Sequence, residues 1–268
     1  MSFYERALHG DLSIIAGPCV FESRQHMDDM VGWIEEIMVV HGVNWIYKTS
    51  FDKANRTSVD SFRGKGIDEA IYAFNDHLDM GLEIITDVHD PWQCAAIPVS
   101  MVQIPAFLCR QTDLLQAAAE TGRPVNIKKG QFLSPHEMEH VVKKMEHFGC
   151  VEMMLTERGS SFGYNNLVVD MRGLKVMSDY GYPVVFDATH SCQSPGGNGN
   201  ASGGDRSMAP VLANAAMGTG CVNTVFIEVH NDPDNAPSDG PNMIHLDNLL
   251  SVVGRLKKLH QVTQYKQL

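Results

Sequence analysis

Short, continuously apolar runs recur along the chain, each closed on both sides by turn-forming or charged residues. They fall at 12–16, 43–47, 82–86, 101–104, 124–127, 151–156, 183–186 and 224–227, and their length and composition predict eight β-strands. Continuous rather than alternating apolar character suits a parallel sheet covered on both faces, not an antiparallel sheet with one wet face. The intervening segments 25–41, 66–80, 112–121, 135–148, 167–180, 207–217 and 247–260 have helical length and spacing. Ser134 followed by Pro135 is a helix start, and Gly81, Gly122, Gly149 and Gly181 each stand where a helix should hand over to the next strand. Eight βα units, one of them short, predict a (β/α)8 TIM barrel rather than an open sheet, and residues 1–268 can form it as one domain.

Composition narrows the partners. With 32 Asp plus Glu against 21 Lys plus Arg and a net charge of −11, neither nucleic acid nor an anionic membrane surface is an expected partner, so any anion site must be local. The start, Met1 to Arg6, lacks a cationic segment followed by an adequate apolar stretch and does not read as a signal peptide. The longest weakly polar stretch, 94–109, is interrupted by Pro98, Gln103 and Pro105 and falls short of a membrane span. Cysteines 19, 94, 109, 150, 192 and 221 form no CxxC pair or compact framework, as expected of reduced thiols. A soluble, cytoplasmic protein is the expectation.

One loop stands out against the acidic background. Directly after the second apolar run, Lys48, Lys53 and Arg56 are interleaved with the donors Asn55, Thr57 and Ser58. Charge with directional hydrogen bonding is what a phosphate or carboxylate needs, although alone the loop reads equally as a solvated basic turn. Two other irregular segments, the Gly/Ser/Asn-rich 194–204 and the stretch 231–242, follow the seventh and eighth strands. The first is expected to be a mobile loop within the domain rather than a linker, and both should lie on the same barrel face.

In such a barrel the C-terminal strand ends meet at one mouth. Those ends carry Cys19, Lys48, Asp87 with His89, Gln103, Lys128 with Lys129, Glu157 with Arg158, Asp187 with His190, and Glu228 with His230. Almost every strand thus delivers an ionisable or metal-competent group to the same place, which points to a catalytic mouth. Lys48, Lys53, Arg56, Lys128 and Arg158 exceed what one phosphate requires and fit two phosphates or a phosphate plus a carboxylate. Asp87 and Asp187 are expected to orient neighbouring lysines, with His89 and His230 as supporting groups.

Cys19, His190, Glu228 and Asp239 offer one thiolate, one imidazole and two carboxylates, a mixture that suits Zn²⁺, Fe²⁺, Co²⁺ or Mn²⁺ better than Mg²⁺ or Ca²⁺. From spacing alone the same four residues also read as a buried cysteine, a hydrogen-bonded histidine and two solvated carboxylates.

Taken together, Gly17-Pro18-Cys19, Lys53-Ala54-Asn55-Arg56-Thr57-Ser58, Asn126-Ile127-Lys128-Lys129-Gly130-Gln131, Asp187-Ala188-Thr189-His190 and the 228–239 loop resemble the 3-deoxy-manno-octulosonate 8-phosphate synthases over nearly the whole chain. Related 3-deoxy-arabino-heptulosonate 7-phosphate synthases typically carry Lys-Pro-Arg-Thr where this chain has Lys53 to Thr57, so Asn55 favours the five-carbon sugar. The resemblance implies a transferase that condenses phosphoenolpyruvate with arabinose 5-phosphate to give phosphate and the eight-carbon sugar acid of lipopolysaccharide. It places Lys53, Lys128 and Arg158 on phosphoenolpyruvate, with Lys48, Asp87 and Gln103 beside it. Asn55, Arg56 and Ser58 fall to the sugar phosphate, and Arg110 resembles an arginine that reaches this phosphate from a neighbouring subunit of a homotetramer. Cys19 implies the metal-dependent class, with His190, Glu228 and Asp239 as the other ligands. Lys53, Lys128, His190 and Asp239 are the candidates for catalytic proton transfer. Gly130, where many members have proline, is expected to loosen its loop. The rival expectations are a heptulosonate synthase using erythrose 4-phosphate and a non-catalytic sugar-phosphate-binding barrel.

Overall fold

The computed structural model describes residues 1–56, 58–197 and 203–263. Eight strands, β1 (Ser13–Gly17), β2 (Asn44–Lys48), β3 (Ile84–Asp87), β4 (Met101–Ile104), β5 (Val125–Lys128), β6 (Met153–Glu157), β7 (Val184–Asp187) and β8 (Thr224–His230), pair in sequence order. Every pairing is parallel, and β8 closes on β1 with Glu228 opposite Gly17. The result is the expected (β/α)8 barrel.

Helix α1 (Phe3–Leu8) precedes the first strand, and one helix follows each strand: α2 (Arg24–His41), α3 (Ile67–Asp79), α4 (Pro91–Ala96), α5 (Thr112–Ala119), α6 (Met138–His147), α7 (Arg172–Ser178), α8 (Met208–Gly218) and α9 (Leu246–Thr263). Two of them, α1 and α4, carry too few residues for periodicity to reveal them. The Ser2/Glu5 and Asp90/Gln93 capping boxes hold their first turns.

The helix expected over 167–180 is shorter than predicted. Leu167–Val168 pairs antiparallel with Ser160–Ser161, and α7 begins only at Arg172, whose N–H donates to the Asp170 side chain at 3.0 Å. The cap fixes the start, and the residues before it find sheet partners instead. In the 135–148 segment the first turn, Pro135–Glu137, is 3₁₀ before α6 proper. Residues 198–202 of the Gly-rich loop, and Thr57, lie outside the described residues. The loop's flanks form a small ribbon, Gln193–Ser194 with Gly203–Gly204. Arg206 N–H donates to Pro241 O at 3.0 Å, so this loop and the 231–242 loop do share one face.

Two cores result. The larger fills the space between strands and helices; the smaller lies inside the barrel and contains Ile15, Ile46, Ile85, Met101, Met154, Val185 and Phe226. Phe3, Tyr4 and Ala7 of α1 belong to this inner cluster and plug its floor. Side chains two residues further along a strand point the same way, so the next inward layer is Gly17, Lys48, Asp87, Gln103, Thr156, Asp187 and Glu228, with Asn126 and Lys128 from β5. An apolar layer below and a polar layer above explain why the runs look unbroken in sequence and yet build a charged mouth.

Candidate active site

All but two of the strands run past their predicted ends into polar residues, so Lys48, Asp87, Lys128, Glu157 and Asp187 are terminal strand positions and not loop residues. Strand pairing therefore fixes their backbone. Where two charged residues are adjacent, alternation separates them. Lys128 turns inward, its ammonium 3.8 Å above the Phe226 ring and 2.7 Å from Asp187. Lys129 turns the other way and is fully buried behind the barrel wall. There it donates to Leu133 O at 3.1 Å and Ser160 Oγ at 3.0 Å and faces Glu157 at 3.5 Å. Burial lowers the Lys129 pKa and raises that of Glu157.

A cavity of about 250 Å³ opens over the polar layer, lined among others by Lys48, Lys53, Asn55, Arg56, Asp87, Lys128, Arg158, His190, Glu228 and Asp239. Ten of the fourteen residues given a binding, catalytic or metal role from the sequence therefore converge. Four do not face it. Gln103, level with Asp87 on the next strand, is wholly buried, its amide bound between Asp87 and Asn126. Cys19 is buried beside Ser238, while Ser58 and Arg110 lie outside the lining, the latter on the exposed surface. Ser61, His89, Gln131 and Gln193 do line the cavity, and of these only His89 stood out in the sequence, where it was given a supporting part.

Lys48 and Lys53 are held together by groups that the chain order hides. Both ammonium groups donate to Ser50 Oγ, at 2.8 and 2.9 Å, and Ser50 donates to Asp87. Asp87 lies 3.4 Å from Lys48 and 3.8 Å from Lys53. Its far oxygen accepts from Gln103, whose carbonyl accepts from Asn126 at 2.9 Å, whose carbonyl in turn accepts from Thr156 at 2.6 Å. Burial opposes ionisation of Asp87, but Lys48, Lys53 and Lys128 outweigh it and hold the carboxyl well below the usual range. Burial lowers Lys48, with Asp87 opposing. For Lys53, burial also acts downward, yet Cys19, Asp87, Glu228 and Asp239 together raise its pKa. Ser50 and Thr156 went unmarked in the sequence, and Asn126 entered only as part of a motif, because an uncharged side chain beside apolar runs gives little signal of its own.

Two guanidinium groups remain incompletely paired. Arg158 Nη2 donates to Gln193 at 2.8 Å and Arg56 Nε donates to Phe62 O at 3.3 Å, but Arg158 Nη1 and Arg56 Nη2 are buried with no partner among the described residues. Buried donors without partners are costly, and on cavity-lining arginines they are placed to take an anion.

Opposite them, Cys19, Glu228 and Asp239 bring three ligand atoms within 4.8 Å of one another. His190 Nε2 is 3.7 Å from Glu228 and 3.7 Å from Asp239. The other ring nitrogen, Nδ1, lies 2.8 Å from Asp187 Oδ2 and 3.4 Å from Lys128. Asp187 is held far below the ordinary carboxyl range: burial opposes this, but His190 and Lys128 prevail. It therefore accepts from Nδ1–H, and Nε2 faces the two carboxylates; burial pulls the His190 pKa down, but Asp187 and Glu228 raise it, and a bound cation would take Nε2 in place of its proton. Asp239 reaches the set from a left-handed backbone position, φ 51°. Burial, with Glu228 adding to it, pushes the Cys19 thiol up. Both Glu228 oxygens are buried without hydrogen-bond partners among the described residues. A buried thiol beside two carboxylates, one of them wholly unsatisfied, is a set of like-charged ligands that a divalent cation reconciles, so these residues can hold a metal.

Gly17 makes the arrangement possible, since a Cβ there would stand 2.0 Å from Lys48 O. Gly130 does not loosen its loop as expected. It is buried, a Cβ there would stand 2.8 Å from the Phe132 ring and 3.1 Å from Ala106 O, and its carbonyl closes a turn with Leu133 N–H at 3.0 Å. The missing side chain is filled by the Phe132 ring. No helix among the described residues is long and apolar enough to cross a membrane.

Comparison with known proteins identifies the family. Residues 7–265 match the DAHP synthetase I family. The 2-dehydro-3-deoxyphosphooctonate aldolase of Chelativorans sp. (strain BNC1) is 53% identical over 258 residues, covering 95% of this chain and 93% of that protein. Proteins of the same name from Bartonella bacilliformis and Rhodopseudomonas palustris (strain TIE-1) are 54% identical over 256 residues and 56% identical over 251, covering 94% and 91% of this chain and 90% and 86% of their own. The chain belongs to the DAHP synthetase I family, among its 2-dehydro-3-deoxyphosphooctonate aldolases.

Proposed function

We propose that the cavity condenses phosphoenolpyruvate with arabinose 5-phosphate and water, giving 3-deoxy-manno-octulosonate 8-phosphate and inorganic phosphate. The observation that carries this is the pair of buried guanidinium nitrogens of Arg56 and Arg158, without partners among the described residues, in one cavity with Lys53 and Lys128. Two phosphates and a carboxylate need that many donors.

Lys53, Lys128 and Arg158 hold the enolpyruvate, with Lys48 and Asp87 setting their charge from below. Asn55 and Arg56 hold the sugar phosphate from the loop above, and Ser58 on the same loop supports it. A divalent ion, Zn²⁺, Fe²⁺, Co²⁺ or Mn²⁺ by ligand chemistry, would be held by Cys19, His190, Glu228 and Asp239 and would orient aldehyde and water and acidify the water. In the reaction C3 of the enolpyruvate forms a bond to the aldehyde carbon, whose oxygen takes a proton, while water oxygen adds to C2 and loses one. The C2–O bond to phosphate then breaks, and the C2 hydroxyl proton leaves with it. Lys53, already hydrogen-bonded to Ser50 and drawn towards the carboxylates of Asp87, Glu228 and Asp239, stays cationic and steers the aldehyde oxygen. Lys128, His190 and Asp239 are the remaining proton carriers. Fixed cations stabilise the shifting charge without reorganising.

Arg110, exposed on the outer surface, is placed by this proposal at the sugar phosphate of a neighbouring copy in a homotetramer, which sedimentation and an Arg110→Ala variant would test. Substrates of central metabolism and the acidic surface fit a cytoplasmic enzyme. The direct test is phosphate release from phosphoenolpyruvate with arabinose 5-phosphate or erythrose 4-phosphate as acceptor. The five-carbon sugar should support turnover and the four-carbon sugar should not. A preference for erythrose 4-phosphate would instead establish a heptulosonate synthase, and binding of both ligands without turnover a non-catalytic barrel.

A further inference from the structure

The loop that carries Cys19 is tied at two places. On one side Val20 bridges to Ser50, and Phe21 N–H donates to Ser50 O at 2.8 Å. On the other, Glu22 Oε1 lies 2.8 Å from Nε2 of His230. His230 stands two residues beyond Glu228 on β8 and is buried, so the two share one side of the strand. Cys19 lies between the end of β1 at Gly17 and these Ser50 ties, its thiol 2.8 Å from Ser238 Oγ and 3.3 Å from Asp239, and the Glu22–His230 contact holds the loop beyond them.

The backbone fixes which His230 nitrogen carries the proton. Asp232 N–H donates to Nδ1 at 2.9 Å. That nitrogen must present its lone pair, so the ring proton sits on Nε2 and is donated to Glu22. Glu22, His26 and His230 bring three ligand atoms within 4.8 Å and so resemble a second metal set. The tautomer removes that possibility: a protonated Nε2 has no lone pair to offer, and moving the proton to Nδ1 would set it against Asp232 N–H. His26 completes the cluster from outside, its ring 4.8 Å from that of His230 and its Nε2 3.1 Å from Asn231 Oδ1.

We propose that the Glu22–His230 hydrogen bond is a clamp that positions the Cys19 thiol against Glu228 and Asp239, and so sets how tightly the chain holds its divalent ion. The proposal rests on the metal reading above. Without the clamp the loop beyond Cys19 is held at Ser50 while β1 holds the side before it, and a shift of Val20 and Phe21 would carry the thiol away from the carboxylates. Groups that orient metal ligands from behind typically change affinity by about 10- to 100-fold when lost.

The test uses full-length Glu22→Ala and Glu22→Gln with two readouts: Co²⁺ affinity by competition with a chromophoric chelator, and the rate at which iodoacetamide alkylates Cys19 in metal-free protein, followed on the Cys19 peptide by mass spectrometry. Glu22 is partly exposed and its loss leaves no core void. The alanine variant should bind Co²⁺ about 10-fold more weakly and be alkylated several-fold faster. Glutamine still accepts from Nε2–H and should restore both. Wild-type affinity together with a wild-type alkylation rate in the alanine variant overturns the clamp. If wild-type protein takes up no Co²⁺, the metal reading falls. Alkylation then decides alone: faster labelling in the alanine variant upholds the clamp, and an unchanged rate overturns it.

Discussion

The Cys19 sulfur lies 3.3 Å from the Asp239 carboxylate, although 220 residues separate the two in the chain. Barrel closure makes this contact, because β1 and β8 are neighbours and each continues into a loop over the mouth. If a metal binds, a soft sulfur ligand beside hard carboxylates would favour a transition-metal ion over Mg²⁺.

Removing that ion should remove activity. Treatment with a strong chelator is expected to lower phosphate release at least 100-fold, and adding back Zn²⁺, Co²⁺ or Mn²⁺ should restore it in wild-type protein but not in Cys19→Ala or Cys19→Ser. Full turnover by protein shown to be metal-free would refute the metal assignment.

The arginines should separate by substrate. A hydrogen bond to a charged group contributes about 1.5–3 kcal/mol, so Arg56→Ala should raise KM for the sugar phosphate by about 10- to 100-fold and leave KM for phosphoenolpyruvate nearly unchanged. Arg158→Ala should do the reverse. Equal effects of either variant on both substrates would contradict the division of the cavity.

Asp87 makes a pH prediction. Its folded pKa is depressed, so its contribution to stability is complete above the unfolded value near 4 and is lost as pH falls towards the folded value, where the unfolded chain takes up a proton that the native state does not. Asp87→Asn leaves Lys48 without its carboxylate and should cost about 3–5 kcal/mol at pH 7. Urea unfolding at pH 7 and pH 3.5 should show a smaller loss on acidification in the variant than in wild type. An identical loss in both would show that Asp87 is not the group responsible.

Gly17→Ala probes the seam between β1 and β2. The new methyl would meet Lys48 O at 2.0 Å with backbone on both sides, so neither neighbour can yield cheaply. A destabilisation above about 4 kcal/mol is expected, visible as a collapse in Tm or in soluble yield. A variant melting within a few degrees of wild type would show that the strands part easily.

Much of this was legible in the chain. The eight runs, their order and their shared polar ends follow from hydrophobicity and turn chemistry, which are local properties, and ten of the named side chains do line one cavity. What stayed hidden is direction. Lys128 and Lys129 are adjacent and chemically alike, yet one faces the cavity and the other is sealed behind the wall against Glu157. Gln103 is level with its strand-end neighbour Asp87, but its amide is taken up by Asp87 and Asn126 and does not reach the cavity. Ser58 and Ser61 are interchangeable by composition, and only Ser61 lines the cavity. The helix expected over 167–180 gave way because Asp170 caps a shorter one and Leu167–Val168 found a strand partner, both outcomes of competition that periodicity does not report.

The sequence by itself determined the barrel, the end of it that carries the chemistry, and through Cys19 and Asn55 the kind of chemistry to expect. The tertiary structure alone decided which side chains share the interior, because strand alternation and barrel closure set inside from outside. It also revealed the uncharged scaffold of Ser50, Asn126 and Thr156 beneath the lysines and the Glu22–His230 bond behind Cys19. Those groups act through distance and direction, and neither quantity is written in residue type.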